Sequence, residues 1–409
     1  MWGVPLGALL GEKMFNWISQ TLAITALNLR TIPQRLGSSG VAIIGIAGVV
    51  VVFVSVLSIA AGFSAAMEGA GSESRALVMR TGADSEMTSG IGGASATIIK
   101  EAPGLRRDGQ SAIASAELFV IIDLPKISTG TPANVPLRGV EPTAFQVRGE
   151  VKIVEGRQFT FGTNEVIVGR GARGQFAGLT VGSTVQSGKA TWQVVGVFSA
   201  AGGAAETEIW VDSRVLQGIY NRGNSYQTVL AQLDSAASFD TFRDWLTTNP
   251  QLNVQVRRET EYYAAQSRAL SALIRGVGFG IAGLMGLGAI FGAVLTMYTA
   301  VSTRSREIAT LRALGFNSTS VVVSVLAESM ALGLIGGAIG GLGAYVAFNG
   351  YQTSTMNFQT FSQVAFAFLV TPELLMTGLF YALVIGLVGG LLPAVRAARL
   401  PIPSALREL

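Results

Sequence analysis

Apolar residues are distributed along this chain in two ways. Charge-free apolar runs occupy residues 41–67, 276–303, 319–348 and 374–392, with Glu328 interrupting the third. A helix needs about 20 apolar residues to cross a hydrocarbon core, so each run predicts a transmembrane helix. The buried helices of a soluble protein do not need four such runs in one chain. Between the first and second run the pattern shortens to alternating segments separated by Gly, Pro, Asn and Asp, which predicts strands. These fall at residues 112–122, 151–154, 165–168, 192–197, 208–211 and 228–233, with helical stretches near 239–247 and before the second run. A mixed α/β domain of this size can bury its own core. Its Pro- and Gly-rich span 125–142 is the best internal boundary, so two subdomains are expected.

The second apolar run is preceded by a segment without Gly or Pro, residues 259–275. One helix over 259–303 would be roughly 65 Å long at about 1.5 Å per residue, about twice a bilayer core. Part of it would then stand outside the membrane, either as a stalk or as a simple juxtamembrane anchor.

Charge sharpens this picture. Only 13% of the 409 residues are charged, half of the roughly 25% usual in soluble domains. The absence of Cys and His excludes thiol nucleophiles, disulfides, thiolate or imidazole zinc sites and imidazole bases. No catalytic, cofactor-binding or metal-ligating constellation is expected. Residues 68–275 hold 20 basic and 20 acidic residues, and the other nine basic residues are Lys13, Arg30, Arg35, Arg304, Arg306, Arg312, Arg396, Arg399 and Arg407. With four crossings all nine share one side, and the connection 349–372 has no Lys or Arg. By the positive-inside rule both termini are cytoplasmic. The net charge of +4 then reflects membrane orientation, and nucleic acid is not an expected partner.

The expected fold is an α-helical membrane protein with four transmembrane helices plus a large mixed α/β extracytoplasmic domain between the first and second. Its parts are a cytoplasmic N-terminus with an interfacial amphipathic helix (1–40), helix 1 (41–67), the extracytoplasmic domain (68–258), a stalk with helix 2 (259–303), a cytoplasmic helix (304–318), helix 3 (319–348), an external loop (349–372), helix 4 (373–394) and a cytoplasmic tail (395–409). In the N-terminal part, Phe15, Ile18, Leu22, Ala26 and Leu29 share one helical face, the pattern of a helix lying in the membrane interface.

Three features carry candidate function. The segment from Arg304 to Gly315 reads as a short helix closed by Gly315 in a left-handed position. Arg304 and Glu307 are spaced to pair, while Ile308 and Leu311 form an apolar stripe, suited to a soluble partner or to a headgroup-level loop. Glu328 lies inside an apolar run, where a carboxylate is costly and usually partnered; a structural or coupling role competes with a proton pathway. Gly333, Gly336, Gly337, Gly340 and Gly341 allow close helix approach, for packing or, less simply, for a pore.

The run STRSREIATLRALGF with VLAESMALG after it, the ending LLPAVRAARLPIPSALREL, the entry LNLRTIPQRLGSSGVAIIGIAGV, and NEVIVGRGARGQFAGLTVGSTV with WQVVGVFSA together resemble the MacB/FtsX/LolC type of ABC-transporter permease. The resemblance touches nearly the whole chain. It implies a cytoplasmic ABC ATPase dimer and a second permease copy, identical or paralogous, with mechanotransmission from ATPase closure to the external domains. It also implies porter-like and Sabre-like subdomains outside, and a coupling helix carried by Arg304, Arg306, Glu307, Ile308, Leu311, Arg312 and Gly315. A membrane-fusion adaptor or other periplasmic protein is a further candidate partner, and membrane lipid surrounds the helices. The sequence has no G-x-x-x-x-G-K-[ST] phosphate loop; its single Gly-Lys pair, Gly188-Lys189, precedes Ala190. ATP and Mg are therefore expected on a separate ATPase, and this chain is expected to be non-catalytic. The implied location is the bacterial cytoplasmic membrane. Export or mechanotransmission, LolC/LolE-like lipoprotein extraction, and FtsX-like signalling to a cell-wall hydrolase remain alternative functions.

Overall fold

The computed structural model describes residues 6–31, 36–69, 71–188 and 190–405; Arg35, Lys189, Leu406 and Arg407 lie outside them, and Lys13 and Phe15 are described by helical backbone alone. In chain order the main helices are α1 (Leu6–Thr31), α2 (Leu36–Glu68), α3 (Gly93–Glu101), α4 (Arg170–Gln175), α5 (Ser213–Ile219), α6 (Phe239–Thr248), α7 (Glu259–Ser302), α8 (Ser305–Ala313), α9 (Ser318–Phe348) and α10 (Pro372–Ala398). The main strands are β1 (Arg75–Arg80), β2 (Ala114–Pro125), β3 (Pro132–Val140), β4 (Lys152–Gly156), β5 (Glu165–Gly169), β6 (Thr184–Ser187), β7 (Ala190–Ser199), β8 (Ile209–Asp212), β9 (Thr228–Gln232), β10 (Val254–Arg258), β11 (Gln352–Asn357) and β12 (Ser362–Ala367). Two compact units result: residues 1–59, 274–349 and 369–409 form one, and residues 60–273 with 350–368 form the other.

The first unit is a helical bundle. Four helices are long and apolar enough to cross a membrane, at Ser39–Glu68, Glu259–Ser302, Ser318–Phe348 and Pro372–Ala398. Close packing follows from the glycines of α9. A Cβ added at Gly336 or Gly340 would come within 2.9 and 2.5 Å of the Ile43 and Ala47 carbonyl oxygens of α2. On another face, Cβ atoms at Gly333 and Gly337 would meet the Ala382 oxygen and Cβ of α10 at 2.7 Å, and one at Gly341 would meet Leu375 at 3.3 Å. Small residues let backbones approach in lipid, where van der Waals packing must hold helices together. The i, i+4 spacing thus gives α9 two glycine faces, one for α2 and one for α10.

The second unit is built on a ten-stranded mixed sheet of order β10-β1-β9-β2-β3-β8-β5-β7-β4, with β6 paired to β7. The pairs β3–β8 and β5–β7 are parallel and the others antiparallel. All six segments read as strands are found as strands. The span 125–142 is not a boundary: half of it is β3, a central strand that registers with β2 from Leu118↔Gly139 to Pro125↔Pro132. The two prolines that hid it, Pro132 and Pro136, pair only on the β2 side, because β8 joins β3 from Leu137 onward. A proline in a strand is tolerated where no ladder bond is required of its missing N–H. The segment read as an external loop forms the β11–β12 hairpin and belongs to this unit, held by Asn134 Nδ2 donating to the Phe361 carbonyl at 2.7 Å and Lys126 donating to Gln363 at 3.2 Å.

One face of this sheet buries an ion cluster. Arg138 of β3 donates all five guanidinium hydrogens: a fork to Glu208 (2.8 Å twice), a fork to Glu86 (2.8 and 2.9 Å), and one bond to Glu117 of β2 (2.8 Å). Arg148 forks onto Glu117 at 2.5 and 2.9 Å, and the Trp210 indole donates to Glu208 at 2.8 Å. All five charged residues are buried. Burial opposes ionisation of Glu117, but Arg148 and Arg138 outweigh it and hold the carboxyl below its ordinary range. Burial likewise opposes the charge on Arg138, and Glu208, Glu86 and Glu117 overcome it, raising its pKa well above the usual arginine value.

Candidate coupling site

A short helix links the second and third long apolar helices. Helix α7 stops at Ser302, Thr303 and Arg304 form a turn, and α8 begins at Ser305. The far end of α8 is closed by Gly315, whose φ of +97° is open to glycine and strained for other residues. Gly315 N–H donates to the Arg312 carbonyl and Phe316 N–H to the Leu311 carbonyl, both at 3.1 Å, the paired bonds of a Schellman ending. Helix α9 restarts after Asn317.

Both ends of α8 are tied into the bundle by arginine. Arg304 Nε donates to Glu307 at 3.2 Å, Nη1 to Glu328 of α9 at 3.2 Å, and Nη2 to the Asn28 side-chain oxygen of α1. The Arg304 side chain is 11% exposed and that of Glu328 is 3% exposed, so Glu328 has the partner that an intramembrane carboxylate needs. At the other end Arg312 donates to the Leu400 carbonyl at 2.5 Å.

The apolar stripe of α8 points differently from the sequence expectation. Ile308 and Ala309 are buried, Ile308 packing among Met297, Val301, Val321, Val325 and Ala397. Leu311 is half-buried and helps line a cavity of about 20 Å³ with Ile24, Asn28, Arg304 and Glu328, room for about one water molecule. Ile308 and Leu311 therefore fix the helix to its own bundle rather than facing outward. The exposed face is Arg306, Glu307, Thr310, Ala313 and Leu314, with Leu314 74% exposed. Leu314 was missed because it follows the last helical turn; its apolar character just before a terminating glycine was the available signal.

Helix α1 docks on α9 by its polar face. Trp17 Nε1 donates to Thr319 at 2.9 Å, Thr21 to Ser320 at 3.0 Å, and Asn28 Nδ2 to Ser324 at 2.6 Å. Ile18, Leu22, Ala26 and Leu29, the apolar face read from the sequence, are exposed. That outward apolar face suits a lipid interface.

Comparison with known proteins decides the family. Residues 39–249, more than half of the chain, match the MacB-like periplasmic core domain, and residues 279–402 match the FtsX-like permease C-terminal domain. The chain belongs to the MacB/FtsX family of ABC-transporter permeases. It is 23% identical over 371 residues to the macrolide export ATP-binding/permease protein MacB of Burkholderia pseudomallei, covering 80% of this chain and 54% of that protein. It is 30% identical over 148 residues to the uncharacterized ABC transporter permease YknZ of Bacillus subtilis, covering 36% of this chain and 35% of that one. The permease thus spans about half the length of the MacB relatives it matches. Among solved structures it is similar to the periplasmic region of MacB from Actinobacillus actinomycetemcomitans, with 13% identity, 47% of this chain and 92% of that chain covered, and a TM-score of 0.36. Membership makes the permease a membrane component with an extracytoplasmic domain.

Proposed function

We propose that this permease couples ATP hydrolysis on a separate cytoplasmic ATPase pair to movement of extracytoplasmic domains, for export or mechanotransmission across a bacterial cytoplasmic membrane. The observation that carries the reading is α8: a short helix with a Schellman ending, fixed at both ends by arginine, with one face left exposed. A helix held this way can pass a push to its neighbours instead of yielding to it. The helix lies between α7 and α9, and α7 is one helix of 44 residues whose first part, to Leu273, belongs to the α/β unit. The one-sided basic residues support cytoplasmic termini and a cytoplasmic α8. A second permease copy completes the assembly, and ATP with Mg belongs to the partner.

The partner surface is assigned to Arg306, Glu307, Thr310 and Leu314. In lipid nanodiscs, a tagged permease carrying Leu314→Asp should capture the partner ATPase at least about tenfold less well, because docking would desolvate an unpaired carboxylate at a cost of several kcal/mol. Membrane insertion should be unaffected, since Leu314 lies on the surface. Capture and hydrolysis equal to those of the unaltered protein would reject α8 as the ATPase contact.

A further inference from the structure

Arg304 stands where three helices meet. It precedes α8, and its three nitrogens reach Glu307 in α8, Glu328 in α9 and Asn28 in α1. Asn28 is itself oriented, because its Nδ2 donates to Ser324 of α9 at 2.6 Å, which leaves its oxygen for the guanidinium. A planar, permanently charged fork can serve three acceptors at once, and an ammonium cannot reproduce that geometry. The group is also largely withdrawn from water, where charge-assisted hydrogen bonds are strengthened.

We infer that Arg304 is a positioning residue that joins α1, α8 and α9 into one mechanical body. It does not belong to the partner-facing surface where the sequence placed it. A displacement of α8 reaches α9 through the Glu328 ion pair and α1 through Asn28, so the amphipathic helix moves with the coupling element. The inference rests on the reading of α8 as that element, and its test separates the two.

The full-length permease in nanodiscs, without ATPase, is compared by hydrogen–deuterium exchange with the Arg304→Gln and Arg304→Lys variants. Loss of the fork should speed exchange about tenfold in both α8 (305–313) and the end of α1 (20–31), in each variant that inserts. Faster exchange confined to α8, or unchanged exchange in both helices, would overturn the three-helix body. The ATPase is then added. In Arg304→Gln, ATP-driven domain movement per ATP hydrolysed should fall by a larger factor than ATPase capture, whereas Leu314→Asp should lose capture first. Equal loss of movement and capture in Arg304→Gln would overturn its positioning role. Loosened helices in Arg304→Gln together with unaltered capture in Leu314→Asp would instead reject the coupling surface while supporting the three-helix body.

Discussion

In the helical unit, α9 meets α2 and α10 through glycines, with neighbouring backbone oxygens close enough to exclude a methyl group at Gly333, Gly336 and Gly340. In the α/β unit, β2 and β3 instead bring Glu117 and Arg138 together in a cluster of three carboxylates and two guanidinium groups, with all five residues buried. The first arrangement removes side chains so that helices can touch; the second keeps charges and satisfies each hydrogen of Arg138. Lipid gives two apolar helices no hydrophobic reason to associate, so contact area must come from close approach. A sheet domain in water gains its stability from apolar burial elsewhere and can hold an ion cluster, provided that no member is left unpaired. The two units should therefore fail in different ways.

The largest effect is expected from Arg138→Met, which leaves Glu86, Glu117 and Glu208 buried around an uncharged side chain. Breaking a buried ion pair from one side costs about 3–5 kcal/mol. Urea unfolding of the full-length protein, followed by fluorescence of Trp210 and the other tryptophans, should show a correspondingly lower midpoint for the α/β transition. A midpoint unchanged from the parent would mean that the cluster contributes no net stability. In the bundle, Gly340→Val should cost about 1–3 kcal/mol by overpacking against the Ala47 carbonyl. Gly283→Ala on α7, where an added Cβ meets nothing within 4 Å, should stay within about 1 kcal/mol of the parent. Equal thermal stability of the two variants in nanodiscs would break the close-approach account. The subtlest difference concerns acid. Because the Glu117 pKa is lowered in the folded state, its contribution is fully present above the unfolded carboxylate value and is lost as pH falls through the lower folded value. Acid titration of tryptophan fluorescence should show the parent domain persisting below the ordinary carboxylate range. Glu117→Gln should remove this part of the pH dependence, and an identical acid midpoint in the variant would contradict it.

Much of this was legible in the sequence, for reasons that can be named. The four apolar runs and the Gly315 stop depend on local pattern, and so does the glycine spacing of α9; local pattern is what a sequence displays. The ion cluster was not legible. Glu117 sits in a strand as any solvent-facing residue would, and Arg138 lies in a stretch whose prolines suggest a turn. Only the pairing of β3 with both β2 and β8 puts Phe119, Arg138 and Trp210 in register. Helix α8 was found, but its rotation was not, because Ile308 and Leu311 satisfy an inward stripe as well as an outward one. Strands β1 and β10 were missed for a related reason: their arginines obscure short apolar patterns that become clear only when the two strands pair.

The hairpin β11–β12 gives the α/β unit a history as well as a shape. The rest of that unit ends at Leu273, and the hairpin is separated from it in sequence by the end of α7 and by all of α8 and α9. A ribosome making the chain from its N-terminus therefore delivers the ten-stranded sheet first and the hairpin long afterwards. The bond from Asn134 to the Phe361 carbonyl cannot close until α9 has been made. The sheet must wait with that flank uncovered while the bundle is being inserted, which makes completion of the soluble-facing domain a late event in biogenesis and ties its quality to correct placement of the helices before it.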